Sequence, residues 1–159
     1  MDPMKPTIKY FGARTVLGTE SGFISDGEAA TLIPKHWQLF NQRRAEIKTV
    51  VQPKTSYGII MPERNGTIDG MRYLACVEVS DSAAIPKGMK LLSVPAGNYA
   101  VFTFQGPIMK IAEAMEEIYG KWIPANEAKL RHAAHLEVYD ERFDPTSDSS
   151  IVEICVPVK

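Results

Sequence analysis

Apolar and polar residues change rhythm several times along this chain, and each change marks an element. Residues 8–19 read as an interrupted strand, with Gly12 and Gly18 as bulge or end positions. Ser25-Asp26-Gly27-Glu28 then has capping-box spacing, a hydroxyl and a carboxylate three residues apart. The spacing predicts a helix to about residue 46. Pro34 is expected to kink or restart it, because proline has no amide hydrogen. Ile33, Trp37, Phe40 and Arg44 fall on one face of that helix. Ser56–Met61 is a β-rich apolar run, and Pro62-Glu63-Arg64-Asn65-Gly66 is turn chemistry with a hairpin-forming Asn-Gly. Over 71–80, Tyr73, Ala75, Val77 and Val79 alternate with Arg72, Leu74, Cys76 and Glu78, the period of a strand.

The sequence of elements then starts again. Residues 90–104 are strand-like, and Ser93-Val94-Pro95-Ala96-Gly97-Asn98-Tyr99-Ala100-Val101-Phe102 parallels Lys9-Tyr10-Phe11-Gly12-Ala13-Arg14-Thr15-Val16-Leu17-Gly18. Gly106-Pro107 opens a second helix, with proline where its missing donor costs least. Ile108, Ile111, Ala112, Met115, Ile118, Tyr119 and Trp122 form a continuous apolar stripe, and Gly120 and Pro124 are expected to end it. Residues 133–141 and 150–158 supply two last strands around the polar loop Asp144-Pro145-Thr146-Ser147-Asp148-Ser149. Each half reads strand, helix, strand, strand. The prediction is one α+β domain over 1–159, built from pseudo-repeats of approximately 5–82 and 88–159. A unit with one helix and a few strands buries little alone, so the halves should share antiparallel sheets and leave a groove between them.

Laying Tyr57-Gly58-Ile59-Ile60-Met61-Pro62-Glu63 over His135-Leu136-Glu137-Val138-Tyr139-Asp140-Glu141 puts Glu137 where the other copy has Ile59. Such a carboxylate is either a solvated strand residue or a negative charge placed in an apolar cleft. In the second case its pKa rises on burial, and a cationic ligand restores a partner that a neutral isostere cannot supply. Tyr139, two residues on, points to the same side of the strand, where it could stack on a ligand or simply pack across strands. Tyr99 and Tyr57 are further candidates for the cleft wall, since aromatic faces attract cations. Trp122 ends the apolar stripe, so packing is its default role, and Trp37 reads as core.

Composition narrows the classes of function. The 159 residues are 45% hydrophobic and 23% charged, with 18 basic and 19 acidic side chains and a net charge of −1. That balance argues against nonspecific DNA binding, which needs a basic face. No apolar run approaches the roughly 20 residues needed to span a membrane, and the start does not read as a secretory signal. Cys76 and Cys155 lie in apolar strand-like stretches, as reduced buried thiols of a cytoplasmic protein would. Cys155 has no identifiable partner histidine and is not read as a nucleophile. His132 and His135 have HxxH spacing but run into a strand with no third ligand evident, so no metal or other cofactor is expected. Arg43, Arg44 and Lys48 read as a solvated helix face.

Several strings together resemble the GyrI-like domains. Pro95-Ala96-Gly97-Asn98-Tyr99-Ala100-Val101-Phe102 followed by Gly106-Pro107 is similar to the start of that family's second half. Ile118-Tyr119-Gly120-Lys121-Trp122-Ile123-Pro124 is similar to its tyrosine-then-Trp-Leu-Pro segment, with Ile123 for the usual leucine. Leu136-Glu137-Val138-Tyr139 resembles its aromatic-Glu-x-Tyr strand, with Leu136 for the commoner phenylalanine. Ile154-Cys155-Val156-Pro157-Val158-Lys159 resembles its closing strand, and Val16-Leu17-Gly18 and Ile33-Pro34-Lys35-His36-Trp37 add to the likeness in the first half.

The resemblance implies the ligand-sensing module of AraC-type and MerR-type transcription regulators, a duplicated α+β unit that binds amphipathic, often cationic, multidrug-like compounds. It implies that Glu137 neutralises the ligand's charge, and it makes Trp122 a pocket-edge residue. The chain carries no further hundred or so residues that could hold a helix-turn-helix, so the expectation is a free-standing cytoplasmic sensor or sequestering protein without catalysis. Its expected partners are a hydrophobic or cationic small molecule and, through the resemblance, a regulator protein or DNA gyrase, but neither nucleic acid directly nor a membrane. The alternatives are a hydrolase of reactive electrophiles, with Glu137 as general base and Tyr139 as acid, and a gyrase-inhibitor-like interaction protein.

Overall fold

The computed structural model describes residues 5–61, 70–80 and 84–159; the Asn65-Gly66 turn lies outside them. Eight strands form one antiparallel sheet: β1 Thr7–Phe11, β2 Arg14–Ser25, β3 Ser56–Met61, β4 Gly70–Val79, β5 Lys90–Val94, β6 Gly97–Gln105, β7 His135–Tyr139 and β8 Ile151–Val158. Helix α1 (Ala29–Arg43) joins β2 to β3, and α2 (Ile111–Glu117) lies between β6 and β7. Each expected entrance strand is thus two strands, broken at Gly12-Ala13 and at Pro95-Ala96.

The order strand, strand, helix, strand, strand occurs twice. The sheet order is β1-β6-β8-β7-β3-β4-β2-β5. It reads symmetrically about the β7–β3 seam, and each half's first strand crosses to pair at the far edge of the other half. The duplicated α+β architecture is therefore a single shared sheet.

The two faces of this sheet are buried differently. Val16, Tyr57, Ile59, Leu74, Cys76, Val94, Tyr99, Val101, Leu136 and Cys155 form one core drawn from seven strands, with Phe11 of β1 packed against it and no helical residue. A flat sheet would leave such a face in water. Val16, Ile59 and Cys155 are fully buried, so the sheet curls around this core. The other face carries two cores. Helix α1 covers Leu17, Ile24, Tyr73, Ala75 and Val77 through Phe40, and the second helical segment covers Ala100, Phe102, Ile154 and Val156 through Ile118. Between the two helical covers runs the β7–β3 seam.

The helix ends depart from the expected chemistry. Asp26–Glu28 forms a 3-10 turn, and the N-cap of α1 is Glu28 with no side-chain cap bond, so the capping box does not form. Helix α1 continues through Pro34, and a 3-10 turn extends it over Arg44–Glu46. The second helix does not stop at Gly120. A π-helical turn, Ile118–Trp122, leads into the short α3, Ile123–Ala125. Pro124 cannot donate to the carbonyl one turn back and its ring crowds that carbonyl, which widens the turn ahead of it.

Candidate functional site

Directly paired residues of neighbouring strands share a face of the sheet. Across the seam, Ser56 pairs with Tyr139, Gly58 with Glu137 and Ile60 with His135. This row looks outward, between the two helical covers, because Glu137 also pairs with Ile154, which lies under the second helix. Gly58 is the residue opposite Glu137, and Ile59, which the repeat alignment sets at the position Glu137 has in the other half, points into the curled core on the other face.

Glu137 is 5% exposed. Its Oε1 accepts two phenol hydrogen bonds, from Tyr73 at 2.6 Å and from Tyr139 at 2.9 Å. Trp37 Nε1 in turn donates to the Tyr73 hydroxyl at 2.9 Å. The indole lies edge-on to three rings: Phe40, Tyr73 and Tyr139, with centroids at 5.8, 6.2 and 5.2 Å. Phe143 closes the far side of Tyr139 at 4.9 Å. A side chain at position 58 would strike this assembly, since a Cβ there would sit 2.0 Å from the Tyr73 hydroxyl and 2.7 Å from Glu137 Oε1. Glycine at 58 is what lets the carboxylate lie flat over the seam.

No ion pair involves Glu137 among the described residues. Oε2 accepts no hydrogen bond from the described residues. It is not among the fully enclosed, unpartnered side-chain atoms, so it is the oxygen that meets the small opening to solvent. Burial raises the carboxyl pKa above its ordinary value, and the two phenol donors oppose that rise. Burial likewise raises the Tyr73 and Tyr139 phenols, with the adjacent carboxylate adding to the rise.

On the α2 side, Tyr119 stacks on His135 with ring centroids 5.5 Å apart, and its hydroxyl lies 2.9 Å from His135 Nδ1. The π-turn carries Tyr119. Its phenol is raised by burial first and by the Glu137 carboxylate second, and through His135 it joins the row that carries Glu137. Burial lowers His135 to about 4, which leaves the imidazole neutral at physiological pH. Glu137 is thus a buried carboxyl held by Tyr73 and Tyr139, with Trp37 beyond Tyr73 and the Tyr119–His135 pair on the α2 side.

Of the residues proposed from sequence, Glu137 and Tyr139 come together. Tyr57 and Tyr99 do not: both lie in the curled core on the opposite face. Arg14 Nη1 donates to the Tyr57 hydroxyl at 2.6 Å, and Arg131 lies over the Tyr99 ring at 5.0 Å. Trp122 is edge-on to Phe102 at 5.1 Å. It lines a surface cavity of about 530 Å³ with Ile8, Asn126 and Val158, away from Glu137. A second cavity, about 320 Å³, lies by Arg14 and Val94. Tyr73, Trp37 and Tyr119 were not expected at the site. Alternation placed Tyr73 with Ala75 and Val77, and helical spacing placed Trp37 and Tyr119 on apolar stripes. Nothing in either pattern tells a core ring from one whose polar tip reaches a carboxylate.

The described residues contain no group of three His, Cys, Asp or Glu side chains that could hold a metal. Burial pushes the Cys155 thiol up to about 12 and Cys76 higher still, far from a reactive thiolate. None of the described helices is long and apolar enough to cross a membrane.

The sequence profile of the GyrI-like small molecule binding domain matches residues 4–159. The transcriptional regulator BrlR of Pseudomonas aeruginosa is 33% identical over 147 residues, which cover 92% of this chain and 52% of BrlR. The chain therefore spans about half the length of the curated relative it matches. SAV2435 bound to tetraphenylphosphonium superimposes with a TM-score of 0.80 at 26% identity, covering 97% of this chain and 93% of that one. A putative transcription regulation protein of Staphylococcus aureus MU50 gives 0.76 at 25% identity, covering 98% and 99%.

Proposed function

Because the chain belongs to the GyrI-like small-molecule-binding family, we propose that it binds aromatic, lipophilic cations over the β7–β3 seam, with Glu137 as counter-charge. The observation that carries this reading is a buried carboxylate with no cationic partner, one oxygen unpaired, inside a ring of aromatic side chains. A lone buried anion is costly. A cation beside Oε2 offsets that cost, and a neutral molecule of the same shape cannot. Trp37, Tyr139 and Tyr119 offer ring faces to such a ligand, each contact adding about 0.5–2 kcal/mol. Tyr139 touches both Trp37 and the carboxylate, so a ligand that stacks on these rings is expected to part them. Solved SAV2435 with its phosphonium cation supports the ligand class. The kinship with BrlR supports a role in transcription regulation, as a cytoplasmic sensing or sequestering module.

Calorimetric titration with tetraphenylphosphonium tests the reading. Glu137→Gln is expected to weaken binding at least tenfold while leaving the melting temperature unchanged or higher. Equal affinity in the two proteins removes Glu137 from the site. Incubation with p-nitrophenyl acetate separates binding from hydrolysis. No Glu137-dependent product is expected.

A further inference from the structure

We propose that the β7–β3 seam carries a second charged subsite, at Arg44, and that its ligands are amphoteric: aromatic cations that also carry a carboxylate or comparable acceptor. This rests on the Glu137 reading above and extends it to the other end of the ligand.

Arg44 follows α1 on the same helical face as Trp37 and Phe40, and its guanidinium lies over the Phe40 ring at 5.3 Å. Nη2 donates to Asn41 Oδ1 at 2.9 Å and to Ser56 Oγ at 2.8 Å. Nε is fully enclosed and has no partner. Nη1 makes no hydrogen bond with the described residues and is not enclosed, so it is a donor open at the surface. No carboxylate among the described residues pairs with this guanidinium. Arg43 has Glu46, and Arg142 has Asp140 and Glu153. Burial alone lowers the Arg44 pKa, with no acid opposing it.

Two neutral acceptors do not require a charge. A glutamine could serve Asn41 and Ser56, whereas a half-buried guanidinium with no anion has only these two hydrogen bonds and the Phe40 ring against its desolvation cost. An anionic ligand group would add to that offset. The location fits one molecule bridging both charges. Ser56, which accepts from Arg44 Nη2, faces Tyr139 and lies two residues, about 6–7 Å of strand, from Gly58 opposite Glu137. Along α1, Trp37 and Arg44 are about 10 Å apart, with Phe40 between them. The ring system would lie against Trp37 and Tyr139 over the seam, its cation at Glu137 and its anion at Nη1 of Arg44, while Phe40 stays in the core.

A matched dye pair tests this. Rhodamine 123 is the methyl ester of rhodamine 110, so the two share a cationic ring system and differ by one carboxylate. Fluorescence-anisotropy titrations of wild type, Arg44→Gln, Arg44→Lys and Glu137→Gln should show Arg44→Gln weakening rhodamine 110 about tenfold. Rhodamine 123 should change less than twofold, and Arg44→Lys should retain most of the rhodamine 110 affinity. Equal weakening of both dyes would make Arg44 a brace for α1 only, and no change in either would remove it from the seam; each result overturns the proposal. Glu137→Gln should weaken both dyes. If it leaves both unchanged while Arg44→Gln still separates them, the Glu137 reading fails and the Arg44 subsite stands. If wild type binds neither dye, both readings fall.

Discussion

Adding one methyl group at position 58 should dismantle the Glu137 site from beneath. In Gly58→Ala the new Cβ would lie 2.0 Å from the Tyr73 hydroxyl, 2.6 Å from Tyr73 Cζ and 2.7 Å from Glu137 Oε1. Tyr73 is fully buried and cannot swing into solvent. Losing its hydrogen bond to a charged acceptor costs about 1.5–3 kcal/mol. Forcing the ring aside adds about 1–3 kcal/mol of overpacking. Alanine recovers about 0.5–1 kcal/mol through reduced backbone entropy. The net expectation is a loss of about 2–5 kcal/mol, read as a lower urea midpoint at unchanged slope. A double-mutant cycle with Tyr73→Phe isolates the cause. Without the hydroxyl the nearest clash disappears, so the two changes should be non-additive by at least about 1 kcal/mol. Gly58→Ala within about 0.5 kcal/mol of wild type, or additive with Tyr73→Phe, would refute the reasoning.

Further outcomes follow from the same geometry. Burial raises the Glu137 pKa above 4.5, so the folded chain holds that proton to higher pH than the unfolded chain does. The stability of wild type relative to Glu137→Gln should therefore fall as pH rises above 4.5, while phosphonium affinity rises over the same window; thermal melts and titrations with parallel trends would contradict this. The His135 imidazole should titrate near pH 4 by NMR, and a midpoint near 6.5 would show that it is not desolvated. Gly18→Ala puts a Cβ 1.8 Å from the Ala75 carbonyl oxygen, a backbone atom that cannot rotate away. That variant should fail to fold or melt far below wild type, and a wild-type melting curve would contradict the close strand approach.

What the sequence made legible was local. Ser56–Met61 has the expected bounds because its β-rich run is closed by turn residues. Glu137 was visible as a charge among apolar neighbours, and Tyr139 followed from the two-residue period. Tyr57 and Tyr99 are aromatic strand residues, and nothing local says which face of the sheet each ring takes; both lie in the curled core. Tyr73 and Glu137 are 64 positions apart in the chain, and only the β7–β3–β4 pairing brings them together. The exchange of β1 and β5 between halves left no trace in hydrophobic periodicity, because an edge strand reads the same whichever sheet edge it joins. The π-turn that aims Tyr119 at His135 depends on backbone geometry ahead of Pro124, which apolar spacing does not encode.

A crystal of the protein soaked with tetraphenylphosphonium locates the cation directly. The phosphonium is expected over the β7–β3 seam, in contact with Glu137 Oε2, with the Trp37 and Tyr139 rings parted and stacked on its phenyl groups. A cation lodged instead in the cavity beside Trp122 and Ile8, with Tyr73, Tyr139 and Trp37 still closed over the carboxylate, would contradict this placement.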